Sequence, residues 1–245
     1  MQIEKLYEDD DVIIVNKPSG LLVIPDRHDT HIPSLNKILE ANTGKQIWVV
    51  HRLDRDTSGV ICFAKNEEMH RYMSLLFQER EVAKYYIGLV NGLVVPAEGR
   101  IEHAIAEHPA IKGKMIVSKK GKASVTEYKV LEQWPLYSLV QFRIYTGRTH
   151  QVRVHMQSLG HALVCDELYG DGKPFFLSQI KRKYKLSENE EEERPLIQRV
   201  ALHAWKLEFK KADGTEIKAE APLPKDIAAT VKQLNKWQPH TAGLS

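Results

Sequence analysis

The stretch that decides the reading is HRLDRDTSGV, His51 to Val60, set between apolar Trp48 to Val50 and apolar Ile61 to Phe63. Two arginines and two aspartates fall within the five positions 52 to 56. A surface loop carries such a density, whereas a buried strand accepts it only where each charge is partnered. Asp54, at its centre, is either an ion-pair partner of Arg52 and Arg55 or a group that does chemistry.

Arginine neighbours favour the charged form of Asp54, so it is expected as an anion near neutral pH. An anion suits a nucleophile or a charge stabiliser and not a general acid. In an extended segment Asp54 and Asp56 share a face at about 6 to 7 Å, so spacing alone does not exclude a glycosidase-like pair. Neither carboxylate, however, has the apolar wrapping that turns a carboxyl into a general acid, and one-carboxylate chemistry fits better. A metal-hydrolase reading recruits His51, Asp54, His150 and His155. Residues five apart on a helix stand about 140° apart, unlike the one-faced pair of an HExxH site, so these histidines are expected to bond backbone or phosphate groups and no metal is expected. From the residues alone, a salt-bridged turn role for Asp54 stays open, since such pairs are common and weak.

Outward from this stretch, the chain has 245 residues, 42% hydrophobic and 27% charged, a soluble globular composition with enough length for a substantial core. No run approaches the roughly 18 apolar residues of a membrane span. The start, MQIEKLYEDDD, is acidic and unlike a signal peptide, and Cys62 and Cys165 match no zinc or CxxC spacing. A cytoplasmic chain with reduced thiols is expected. The net charge of +3 permits nucleic-acid binding, and its distribution is uneven. KGKMIVSKKGK, residues 112 to 122, holds Lys112, Lys114, Lys119, Lys120 and Lys122 with no acid, KRK follows at 181 to 183, and SENEEEE at 187 to 193 is read as a solvated acidic loop.

The pattern predicts a strand over Val12 to Val15 ended by NKPSG, then a helix capped by Ser34, with Leu35, Ile38 and Leu39 on one face and Gly44 as its stop. Asn66 is expected to cap a second helix, whose Met69, Tyr72, Met73, Leu76 and Phe77 form a core-facing stripe. Strands are predicted at 84 to 90, closed by Asn91-Gly92, and at 101 to 106, 115 to 118, 124 to 131 and 136 to 145. A short helix follows over 149 to 159, then strands at 161 to 166 and 201 to 209, separated by a long polar insertion at about 171 to 199. Ile227, Val231, Leu234 and Trp237 mark a last helix after Pro224. Turn-linked strands imply a mainly antiparallel sheet, in one domain over 1 to 245.

HRLDRDTSGV closely resembles the catalytic motif of the RluA family of RNA pseudouridine synthases, and three more motifs stand in the expected order. NKPSGLLVIP, Asn16 to Pro25, resembles the family's N-terminal motif, AKYYIGLVNG, Ala83 to Gly92, its K-x-Y strand, and TGRTHQVRVHMQSLGHALVCDELYG, Thr146 to Gly170, its third signature. The resemblance implies an α+β pseudouridine synthase fold, with a mixed, mainly antiparallel sheet, flanking helices and a central active-site cleft. It implies isomerisation of uridine in ribosomal or transfer RNA without cofactor or metal. Asp54 matches the essential aspartate, which attacks C1′ of the ribose or helps form a glycal. Arg148 matches the arginine paired with it, Tyr86 the tyrosine that stacks on the base and is a candidate for moving the C5 proton, and Arg52 an arginine implicated in extruding the nucleotide. His51, Arg55, Thr149, His150 and Gln151 complete the expected substrate-contacting set. Cys165 stands where the signature usually has glycine, and the insertion at 171 to 199 has no counterpart in short relatives. A stand-alone catalytic domain without an S4 domain is expected, monomeric, contacting RNA itself. A non-catalytic RNA-binding protein using the same basic surface is the alternative.

Overall fold

The computed structural model describes residues 1–27, 29, 31–186 and 191–240. In chain order the elements are β1 (Glu4–Glu8), β2 (Val12–Lys17), α1 (Leu35–Thr43), β3 (Trp48–Val49), β4 (Ser58–Ala64), α2 (Glu67–Gln78), β5 (Ala83–Asn91) and β6 (Glu98–Ile101). They continue with β7 (Ile105–Glu107), β8 (Met115–Val117), β9 (Thr126–Trp134), β10 (Tyr137–Ile144), α3 (Gln151–Ser158), β11 (Leu202–Lys210), β12 (Glu216–Glu220) and α4 (Lys225–Trp237). Where one domain is expected, the contacts group into two compact units: Met1–Tyr86 with His203–Pro222, and Ile87–Leu202 with Leu223–Ser245.

In the first unit the strands run β1, β2, β4, β11, with β12 beside β11 and β3 beside β4. All these pairs are antiparallel except β11 with β4, where His203 faces Ser58 and Ala204 faces Gly59. Every residue of β4 is buried, so the charges of HRLDRD end where the strand begins. Gly59 is required there. Its φ is 115°, and a Cβ on it would stand 2.0 Å from the Ala204 carbonyl oxygen. α2 covers this sheet with Met69, Met73 and Leu76 buried among Val12, Ile14, Val60 and Cys62, and Tyr72 and Phe77 at the margin, as its stripe predicts. The Asn66 side chain accepts the Met69 N–H at 2.8 Å, closing the helix start. Gly44 ends α1 at φ 65°, and Ser34 stands at its N-cap position as expected, although its hydroxyl donates to Asn36 Oδ1 and makes no capping bond.

In the second unit β10, β9 and β6 are antiparallel neighbours, and β7 and β8 form a separate hairpin. The single strand predicted at 101–106 is thus two, because the chain leaves the β9 partner at Ile101 and enters the small hairpin at Ile105. The strand predicted at 161–166 does not form. Leu163 makes one bridge with Val90, then Cys165 turns the chain at φ 59°. That is the backbone region a glycine occupies most readily, at the position where the third signature usually has one. The Cys165 thiol is buried, as expected. The insertion is less polar than expected: Phe175, Ile180 and Ile197 are buried, Phe175 bridges Ile197, and Arg199 makes a two-pronged bond to Asp226 on α4. Of the acidic run, residues 187–190 lie outside the described residues. Both units are α+β, the first with a mixed, mainly antiparallel sheet and the second with antiparallel pairs, and no helix among the described residues is long and apolar enough to cross a membrane.

Candidate active site

Asp54 sits partly buried in the loop between β3 and β4, and its carbonyl accepts the Thr57 N–H at 3.2 Å, a tight turn that presents the carboxylate. The loop is held by NKPSG. Lys17, fully buried at the end of β2, donates from Nζ to the carbonyls of Leu21 and Arg55 at 2.8 Å and of Pro18 at 3.0 Å. The Arg55 carbonyl also takes the Gly20 N–H at 2.9 Å, Arg55 Nε donates to the Gly20 carbonyl at 3.2 Å, and Ser19 Oγ donates to the Asp56 carbonyl at 2.8 Å. A buried ammonium is tolerable when carbonyls replace its water, and here it fixes the residue after Asp54. No composition or periodicity signal marks Lys17; the proximity of its motif to the turn is tertiary.

His51 begins the loop. Its Nε2 accepts the Cys62 N–H at 3.0 Å, its ring stacks on Phe77 at 4.7 Å, and burial with the nearby Lys84 charge pulls it down to about 3. The imidazole is neutral, with its proton on Nδ1, and it anchors the loop to β4, which agrees with the expectation of a backbone bond. Arg52 and Arg55 are exposed. Tyr86, on β5, retains 9% of its surface. Burial raises its phenol above the ordinary tyrosine range and the Asp54 charge raises it further, so the ring carries a neutral O–H.

Arg148, Thr149, His150 and Gln151 belong to the second unit. Gln151 is buried at the start of α3, and all its hydrogen-bonding capacity is used within the protein. Oε1 accepts from Thr146 Oγ1 at 2.6 Å and the Arg148 N–H at 3.1 Å, while Nε2 donates to the Val125 carbonyl and Thr126 Oγ1, each at 2.9 Å. Gln151 therefore shapes the turn that carries Arg148, where a substrate contact was expected of it. Arg148 Nε donates to the Ala123 carbonyl at 3.2 Å. Thr149 is exposed, and His150, at φ 55°, lies 2.9 Å from the Tyr169 hydroxyl through Nδ1. His155 is fully buried with both ring nitrogens engaged, Nδ1 with Thr126 Oγ1 and Nε2 with the His103 carbonyl, each at 2.9 Å. A metal would have to break one of those bonds to reach it. Sequence reasoning also passed over Arg153, whose buried guanidinium meets Asp166 at 2.7 and 2.8 Å and locks α3 to the turn at Cys165.

A family model described as RNA pseudouridylate synthase matches residues 11–158. The chain is 38% identical over 233 residues to the ribosomal large subunit pseudouridine synthase D of Neisseria meningitidis serogroup B, covering 93% of this chain and 60% of that protein. Its identity to the enzyme of the same name from Pseudomonas aeruginosa is 35% over 232 residues, covering 93% and 70%. Among solved structures, human RNA pseudouridylate synthase domain containing 1 aligns with a TM-score of 0.72 at 29% identity, over 100% of this chain and 91% of that one. The chain spans about three fifths of the length of the first curated relatives it matches, 60%, 66% and 60%.

Proposed function

Because the chain belongs to the RNA pseudouridylate synthase family, we propose that it isomerises uridine in RNA to pseudouridine, with Asp54 as the nucleophile. The observation that carries the reading is the Asp54 turn, pinned through Lys17 and Arg55 and set so that its charge acts on Tyr86. In the proposed reaction the Asp54 carboxylate bonds to C1′ of the ribose and the N1–C1′ bond breaks, its electron pair leaving on the uracil. The freed base turns on the Tyr86 ring, C5 bonds to C1′, and the Asp54–C1′ bond returns its pair to the carboxylate. N1 is protonated and the C5 proton departs, so no atom is gained or lost and no cofactor is used. Arg148 is assigned to pair with Asp54, Arg52 to extrude the nucleotide, His51 and Gln151 to hold the loops in place, and Arg55, Thr149 and His150 to line the RNA.

Relatives named for the large ribosomal subunit favour ribosomal RNA over transfer RNA as the substrate. The test is Asp54→Asn, which keeps the side chain's size and removes its charge. It is expected to bind RNA as the unaltered protein does and to form no pseudouridine, with modified sites read by mapping pseudouridines in total RNA from cells carrying either form. Residual isomerisation by the purified variant would sink the assignment, and an unaltered protein that binds RNA without turnover would leave the non-catalytic alternative.

A further inference from the structure

Lys84 lies on β5 two residues before Tyr86, so both side chains leave one face of the strand, about 6.6 Å apart by strand rise. It retains 8% of its surface. Its ammonium stands 5.6 Å from the centre of the Phe77 ring, which stacks on His51. Among the described residues it meets no carboxylate and no hydrogen-bond acceptor, in contrast to Lys17 with its carbonyls and Arg153 with Asp166. Thr57 Oγ1 is the fully buried side-chain polar atom without a partner among those residues, so the Lys84 ammonium, which also lacks one, still touches solvent at its tip. The charged and titratable groups around it are Arg80, of the same sign, and His51, which is neutral. Burial and Arg80 together pull it down to about 8.

A cation largely removed from water without a counter-charge is a cost to the free protein, and a ligand that supplies the missing anion offsets it. The lysines of the 112–122 segment stand mostly on the surface, whereas Lys84 is enclosed, aromatic-lined and fixed relative to Tyr86. We propose that Lys84 forms a phosphate subsite, taking one backbone phosphate of the nucleotide chain whose base stacks on Tyr86. The inference rests on the proposed function and names a contact within that site. Its consequence is that RNA register, and not only affinity, depends on Lys84: one phosphate must sit about one strand repeat from the stacked base.

The test measures binding in the Asp54→Asn background, so that nothing turns over, with a stem-loop RNA bearing one loop uridine. Each phosphate flanking that uridine is replaced in turn by a neutral methylphosphonate. At one position the Lys84 protein is expected to lose about tenfold to a hundredfold in affinity, the range of a charge-assisted bond. Lys84→Met, weaker by the same factor on all-phosphate RNA, loses nothing further there. Equal losses at every position in both proteins overturn the proposal. Lys84→Met is also expected to melt no lower than its parent, because it removes an unpartnered buried charge; a variant that melts lower yet binds equally well would assign Lys84 to packing and overturn it. Binding should weaken as pH rises through about 8, and Lys84→Arg should abolish that dependence; its persistence in the arginine variant counts against Lys84. If the cycle holds but the Asp54 protein isomerises no RNA, the phosphate subsite stands and the catalytic reading falls.

Discussion

Tyr86 can act as a base only if something first lowers its phenol, because burial and the Asp54 charge both hold the proton on. On the proposed reaction that change is built in: once Asp54 is bonded to C1′ its charge is gone, and one of the two causes is removed. Stacking and proton transfer are separable by substitution. Tyr86→Phe keeps the aromatic face and is expected to bind RNA unchanged, while single-turnover pseudouridine formation slows about 10²- to 10⁴-fold, the usual worth of a positioned proton carrier. Tyr86→Ala additionally loses about 1 to 3 kcal/mol of stacking and so binds RNA measurably more weakly. A full-rate phenylalanine variant would restrict Tyr86 to stacking. Asp54 and Tyr86 are legible in the sequence because ordered motifs surround them. Lys17 and Lys84 stand in two of those motifs, yet their burial is not legible, since a lysine reads as a solvated residue until the fold shows what encloses it.

At the scale of elements, the legible parts are those with strong local signals. α2 has its Asn66 cap and its stripe, and β5 its apolar run closed by Asn91-Gly92. That turn is real, with Gly92 at φ 83°, yet it opens no hairpin, because β6 pairs with β9, a partner some 30 residues away, which no local pattern encodes. HALVCD, 161 to 166, carries a strand-length apolar run and is overridden by Cys165 at φ 59° and by the Arg153–Asp166 pair. The thiol is read correctly as buried, while its backbone role is visible only in the fold. Gly59 shows the converse, a motif glycine whose reason is wholly an element contact. Gly59→Ala would drive Cβ to 2.0 Å from the Ala204 carbonyl and place a side chain at φ 115°. The expected outcome is separation of β4 from β11 and loss of at least about 3 kcal/mol of stability or failure to fold, read by thermal melting. A variant that melts within a degree or two of the unaltered protein would mean that the two strands part easily.

Across the whole molecule, charge is the property most visible in composition and least tied to fold. The net +3 is small, but five lysines fall within residues 112–122, and the structure places them on and around the β7–β8 hairpin, where Lys112, Lys119, Lys120 and Lys122 are exposed and Lys114 lies 5.7 Å from the Tyr169 ring. Phosphate neutralisation releases counterions, so each lysine on the RNA backbone adds about 0.7 to 0.9 to the slope of log affinity against log salt. Replacing Lys112, Lys119 and Lys120 by glutamine is therefore expected to lower that slope by about 2 to 3. The same variant should require more RNA to saturate but reach the unaltered maximal rate, since these side chains are proposed to attract the nucleic acid and are assigned no part in breaking the N1–C1′ bond. Salt-dependent binding and saturation kinetics on one RNA decide it. An unchanged slope would mean that the hairpin faces solvent in the complex, and a fallen maximal rate with an unchanged slope would move it from electrostatic attraction to positioning of the reacting uridine.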